Sequence, residues 1–195
     1  KLDMEIVPEL ELGYSMGGGV ALQVAFRHPE QVRKLVTAGT AFFIDGMHPE
    51  IAQGMQGLKP EHLVGSPFQQ EYARIAPRPE HFPALLEKIK GLVKGDPKGW
   101  NREAAKALTQ PILMLFGDGD IVRPEHMVEM QRLLGGGGSR DNQSAQQTGG
   151  VRAQLAILPG TTHITLVYQA DWLLSMIQAF LDAPMPETEK ANPSK

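Results

Sequence analysis

The sequence contains no cysteine. That absence excludes disulfides, thiolate metal sites and a Cys nucleophile, and it fits a reducing compartment, so a cytoplasmic location is expected. There is no excess of positive charge: 19 Lys and Arg stand against 22 Asp and Glu, for a net charge of −3. Nucleic-acid binding needs a concentrated basic face and has no electrostatic support. There is no apolar run long enough to span a bilayer; the run from Ile112 to Phe116 stops at Gly117. No signal-peptide pattern follows Lys1, and the expectation is that the true start of the protein lies upstream. What remains is a soluble globular composition, with 42% hydrophobic and 21% charged residues in a 195-residue chain long enough for one domain.

Glu9-Leu10-Glu11-Leu12 alternates like a short strand and ends at Gly13. Residues 17–27 read as a helix with Val20, Ala21, Val24 and Ala25 on one stripe, stopped by His28-Pro29. Val32 to Ala38 is rich in apolar and β-branched residues and reads as a strand. Strand, tight turn, helix and strand make a βαβ unit, which implies parallel pairing with a right-handed crossover. The stretch 45–108 changes character: Pro, Gly, Met, His and Lys accumulate, Pro83 to Val93 is helical, and no strand is evident. It reads as a helical insertion between two strands. Ile112 to Phe116 is a strand apolar on both faces. A helix over Pro124 to Leu134 and a strand over Leu155 to Leu158 follow. A last helix over Asp171 to Leu181 carries Leu173, Leu174, Ile177, Phe180 and Leu181 on one stripe. Gly135 to Gly150 is Gly/Ser/Gln-rich and is expected to be a mobile loop, and residues 184–195 a flexible tail.

Gly13-Tyr14-Ser15-Met16-Gly17 is G-x-S-x-G, and it stands between a strand and a helix. Such a turn strains the serine backbone, requires small neighbours such as Gly13 and Gly17, and lifts the hydroxyl clear of the sheet. It also sets the Ser15 hydroxyl at the positive end of the following helix, with the Met16 backbone N–H placed to donate to an oxyanion. Serine is a weak nucleophile and needs a base that is itself oriented by a carboxylate. Gly117-Asp118-Gly119-Asp120 follows the buried strand, and His163 follows the next one. Ser, Asp and His thus arise in chain order from turns after three of the strands, at the carboxyl end of the sheet where ligand chemistry gathers in open α/β folds. The other histidines have structural readings. His28 precedes a proline, and His126 lies on a helix. His48, His62 and His81 lack metal-ligand spacing, so surface or capping roles are expected for all five. The Asp118–Asp120 turn lacks the further ligands of a calcium loop, and Gly135–Ser139 lacks the Lys-Ser/Thr of a phosphate loop. No metal or cofactor is expected.

The segments GYSMGGGVALQVAFRHPEQVRKLV, PILMLFGDGDIVRPEHMVEM and LAILPGTTHITLV resemble bacterial α/β-hydrolase fold enzymes over nearly the whole chain. The resemblance implies an α/β fold made of the C-terminal portion of an α/β-hydrolase sheet, mostly parallel. Residues 1–44 and 109–183 would form the core and residues 45–108 a helical cap. It implies a catalytic triad of Ser15, Asp120 and His163: the family places the acid three residues after the strand-ending glycine, which selects Asp120 and leaves Asp118 as a turn residue bonding its own backbone. The Ser-Met-Gly-Gly run is shared by esterases, carbon–carbon bond hydrolases and haloperoxidase-like members. The expected activity is carboxylic-ester hydrolysis on a small-molecule substrate; the alternatives are the other two chemistries and a non-catalytic binding module. At the entry to the cap and within it, Phe42, Phe43, Met47, Met55, Phe68 and Phe82 are expected to form its own small core rather than an acyl pocket.

The family fold has further strands before the elbow strand, and one loop among them supplies a second oxyanion donor. The expectation is therefore that this chain is incomplete at its N-terminus. The elbow strand would then be an edge with unpaired backbone groups, prone to self-association.

Overall fold

The computed structural model describes residues 9–93, 100–138 and 152–185. Four strands, Glu9–Tyr14 (β1), Val32–Ala38 (β2), Ile112–Gly119 (β3) and Ala153–Thr162 (β4), pair in parallel in the order β1-β2-β3-β4. The seven α-helices among the described residues are Met16–Arg27 (α1), Pro49–Gly57 (α2), Pro67–Ile75 (α3), Phe82–Val93 (α4), Arg102–Lys106 (α5), Pro124–Leu133 (α6) and Ala170–Asp182 (α7). Because every pairing is parallel and in sequence order, the turns that follow the strands all open at one end of the sheet. The segment between β2 and β3 contributes four of the helices. None of the described helices is long and apolar enough to cross a membrane. Most of the expected 135–150 loop and of the 184–195 tail lies outside the described residues.

The period-2 alternation of the strands divides the core into two layers. Leu35, Ile112, Met114 and Phe116 face α1 and α6, where Ala21, Leu22, Ala25, Met127, Met130 and Leu134 cover them. Val36, Ala38, Leu113 and Leu115 face α7, against Leu173, Met176, Ile177, Phe180 and Leu181. Two helix stripes differ from expectation, α1 by two positions and α7 by one. In α1 the buried set is Gly18, Ala21, Leu22 and Ala25, and Val20 points to solvent. In α7 Leu174 is exposed and Met176 takes its place in the core. Both corrections restore an i, i+3, i+4, i+7 stripe.

Among the described residues β1 pairs with β2 alone, so its second edge carries unpaired N–H and C=O groups. Apolar Leu12 on β1 is more than half exposed, as are Met16 and Val20 on α1.

Two buried charged or polar groups fasten the outer elements. Lys34 on β2 is 1% exposed. Its ammonium donates to the carbonyls of Phe180 (2.7 Å), Leu181 (2.9 Å) and Ala183, and it lies over the Phe180 ring. It thereby satisfies the orphan carbonyls at the end of α7 and opposes that helix's negative pole. Burial holds its pKa below the ordinary lysine value.

The second is His126 on α6, for which the surface or capping role is overturned: it is 1% exposed. Its Nε2 accepts the Phe42 N–H at 3.2 Å, which leaves the ring proton on Nδ1, 3.2 Å from Glu129 Oε2. Glu129 and Asp45 both bind Arg102, whose guanidinium lies over the Phe43 ring. The Trp100 indole donates to the Phe42 carbonyl at 2.8 Å. These contacts tie the start of the segment between β2 and β3 to its end and to α6. They also decide the placement of the phenylalanines: Phe42 and Phe43 belong to the main core with Trp100. Phe82 packs on Tyr72 as a separate centre, and Phe68 is exposed. A single cap core holding all of them does not form.

Burial holds the His126 imidazole below its ordinary value, against the pull of Glu129 and Asp45 and with the push of Arg102. The folded protein keeps the ring neutral while the unfolded chain takes up a proton near 6.5. Stability is therefore full above that pH and falls as pH drops from it towards the lower folded-state value. Urea midpoints should decline between pH 7 and pH 5.5. In His126→Asn this part of the decline should flatten, at a cost of about 1–3 kcal/mol at pH 7 from the unpaired Phe42 N–H.

Candidate active site

Ser15 sits between β1 and α1 at φ 53° and ψ −120°, the only non-glycine residue with positive φ among the described residues. Such a conformation costs about 1–3 kcal/mol and persists only where the surroundings fix it. They do so through the main chain. The Ser15 N–H donates to Ala38 O at 2.8 Å, extending the β1–β2 ladder, and the Ser15 carbonyl accepts from Gly18 and Gly19 at 3.1 and 3.3 Å. The Thr40 hydroxyl lies within bonding distance of Ser15 O and Ala38 O, at 3.1 and 3.2 Å. The Ser15 side chain does not cap α1, which leaves its hydroxyl available elsewhere.

The expectation that Gly13 and Gly17 are both small for steric reasons holds for one of them. A Cβ on Gly13 would collide with the Gly17 backbone, whereas a Cβ on Gly17 would meet nothing within 4 Å. The second crowded position is Gly18, packed against Thr40.

Asp120 follows β3 and its carboxylate is buried. Its Oδ1 accepts the Val122 N–H at 3.3 Å and lies 2.9 Å from His163 Nδ1. His163 follows β4, and its Nε2 is 2.9 Å from Ser15 Oγ. A carboxylate only accepts, so Nδ1 carries the ring proton and Nε2 is free to accept from the serine hydroxyl. The structure thus brings Ser15, His163 and Asp120 into one continuous hydrogen-bonded line. Gly39, directly after β2, makes the approach possible. It has φ +58°, and a Cβ there would stand 2.9 Å from His163 Nδ1 and 3.3 Å from Asp120 Oδ2. Sequence reasoning missed Gly39; its signal was a glycine at the carboxyl end of a core strand.

Asp118 has a different part from the one expected. Its two oxygens accept the Gly160 and Thr161 N–H groups, each at 3.0 Å, so it braces β3 against the end of β4 rather than only its own turn. Those bonds, Gly160 first, hold its carboxyl below the usual range. Thr162 and Thr165 cap each other's backbone across the following turn, at 2.8 and 3.2 Å, and His163 lies inside it.

The Met16 N–H opens α1 and has no protein acceptor among the described residues. It lies at the positive end of the helix, next to Ser15. His28, His48 and His81 stand beside Glu30, Glu50 and Glu80, and His62 accepts the Lys59 N–H. Among the described residues no three His, Asp or Glu side chains cluster as metal ligands would.

No protein-family model matches the chain. It is similar to the pimeloyl-[acyl-carrier protein] methyl ester esterases of Salmonella agona (strain SL483) and Salmonella newport (strain SL254), at 32% and 45% identity over 150 residues. Each match covers 63% of this chain and 56% of the relative, so the chain spans about half the length of these proteins. Among solved structures, the meta-cleavage product hydrolase of Pseudomonas fluorescens IP01 superposes with a TM-score of 0.60 at 20% identity, covering 90% of this chain and 65% of that one. The fold is that of the α/β-hydrolases.

The glycine geometry separates three substitutions. Gly17→Ala should leave urea stability within about 1 kcal/mol of the parent. Gly13→Ala should cost several kcal/mol or prevent folding, because it strikes backbone. Gly39→Ala should cost about 1–2 kcal/mol from its left-handed backbone alone. It should also displace His163, seen as a shift of that residue's ring resonances.

Proposed function

We propose that this α/β-hydrolase-fold chain cleaves carboxylic esters of small molecules, with Ser15 as nucleophile and an acyl-enzyme as intermediate. The observation that carries the reading is the line Ser15 Oγ–His163 Nε2–His163 Nδ1–Asp120 Oδ1, with both hydrogen bonds at 2.9 Å. His163 takes the serine proton as Oγ attacks the ester carbonyl. Asp120 keeps the imidazole in the required tautomer and stabilises the imidazolium. The Met16 N–H donates to the oxyanion. His163 then protonates the departing alcohol, and water, deprotonated by the same base, releases the acid and restores Ser15.

The likeness to methyl ester esterases supports an acyl chain carrying a small alkoxy leaving group. Residues 45–108 are read as the cap over the acyl chain. The likeness to a meta-cleavage product hydrolase favours a second reading, in which the same residues break a carbon–carbon bond. For the open β1 edge we retain the expectation of pairing with a second copy of this chain. A mass that stays monomeric in analytical ultracentrifugation from micromolar to hundreds of micromolar would reject it.

Methyl and p-nitrophenyl esters of short acids, assayed beside a vinylogous diketone, test the activity. Ester turnover with a pre-steady-state burst of alcohol is expected. Ser15→Ala and His163→Ala should each lose at least about 10³-fold in kcat. Turnover of the diketone alone would select the second reading. Binding of esters without turnover would make the chain a binding module, and activity that survives Ser15→Ala would reject the nucleophile.

A further inference from the structure

We propose that Tyr14 is a positioning residue for His163, holding the base by a hydrogen bond to its main chain and by a stack on its ring. The proposal rests on the Ser15–His163–Asp120 reading.

His163 is held in the plane of its imidazole by two bonds, one at each nitrogen. Bonds at opposite ends of a ring leave it free to tilt about the line joining them. A contact on the ring face removes that freedom. Tyr14 supplies it: the two rings are stacked with centroids 5.1 Å apart and planes at 28°. The Tyr14 hydroxyl continues past the ring and donates to the His163 carbonyl at 2.8 Å. One side chain therefore fixes both the backbone and the ring of the base.

The position of Tyr14 gives this contact its consequence. It is the last residue of β1 and the immediate neighbour of Ser15. His163 lies 148 residues further along the chain than Ser15, on a turn after the far edge strand. A displacement of that turn would lengthen the Ser15–His163 bond. Tyr14 joins the turn to the strand that carries the nucleophile, so the two move together. The phenol is held above its ordinary pKa, first by burial and then by the charge of Asp120, so it remains a donor through neutral and mildly alkaline pH. Phenylalanine would keep the stack and lose the anchor. Leucine would lose both.

Tyr14 also touches the core layer under α7, so a packing role must be told apart from a positioning one. The full chain is compared with Tyr14→Phe and Tyr14→Leu in three measurements: kcat and KM on the ester turned over by the parent, the thermal midpoint, and the low-field Nδ1 proton resonance of His163. Positioning predicts that Tyr14→Phe lowers kcat about 3–10-fold, the effect of one neutral hydrogen bond, with KM within twofold. Tyr14→Leu should lower it about 10²-fold, and the Nδ1 resonance should broaden in the same order. A fall in thermal midpoint with unchanged kcat and an unchanged resonance would overturn the proposal, as would a raised KM at constant kcat. If Tyr14→Leu does not fold, Tyr14→Phe decides alone. If the parent turns over no ester, the proposed function fails separately. The resonance still judges Tyr14, and a sharp, unshifted Nδ1 signal in Tyr14→Phe rejects it.

Discussion

The backbone of Ser15 is the constraint on which the rest of the site depends. Its left-handed φ turns the chain from β1 into α1 within one residue, and the hydrogen bond from its N–H to Ala38 O holds that turn onto the sheet. The strain of about 1–3 kcal/mol is retained because relaxation would break the ladder and the first bonds of α1 together. Thr40, two residues past the end of β2, reinforces the turn by closing on the Ser15 and Ala38 carbonyls. β2 continues into Gly39, whose missing side chain leaves room for the close approach of the His163 ring and the Asp120 carboxylate. Ser15, His163 and Asp120 therefore meet above the C-terminal end of β2, which contributes none of them.

Around this centre, position is set by side chains that act between elements far apart in sequence. Asp118 joins β3 to the end of β4 ahead of His163. Lys34 holds the end of α7 to β2. His126 and Arg102 gather Phe42, Asp45, Glu129 and α6 at the base of the inserted helices. Buried polar groups of this kind hold their partners in one arrangement, because each leaves a costly unpaired donor or acceptor if it moves. The inserted helices are thus anchored at both ends to the layer of core that supports the turn at Ser15.

The strands, their parallel order and the Ser, Asp, His succession were legible in the sequence because each rests on local signals: apolar runs, turn glycines and chain order. Val32–Ala38 is a strand by composition and lies where expected. What was not legible depends on contacts across the fold. His126 reads as an ordinary helical histidine until Phe42 and Glu129 are placed against it. Lys34 reads as the polar interruption of a strand until the last carbonyls of α7 arrive. Gly17 and Gly18 are indistinguishable as letters, and only the position of Thr40 decides which of them must lack a side chain.

On the proposed reading, a strained turn and the loops after β3 and β4 activate one serine among several. Covalent labelling by a fluorophosphonate, with the modified peptide mapped by mass spectrometry in the parent chain and in His163→Ala, tests that activation. A single adduct on Ser15 is expected in the parent, formed at a rate that falls by orders of magnitude when His163 is removed. An adduct distributed over other serines, or labelling of Ser15 at an unchanged rate without His163, would contradict it.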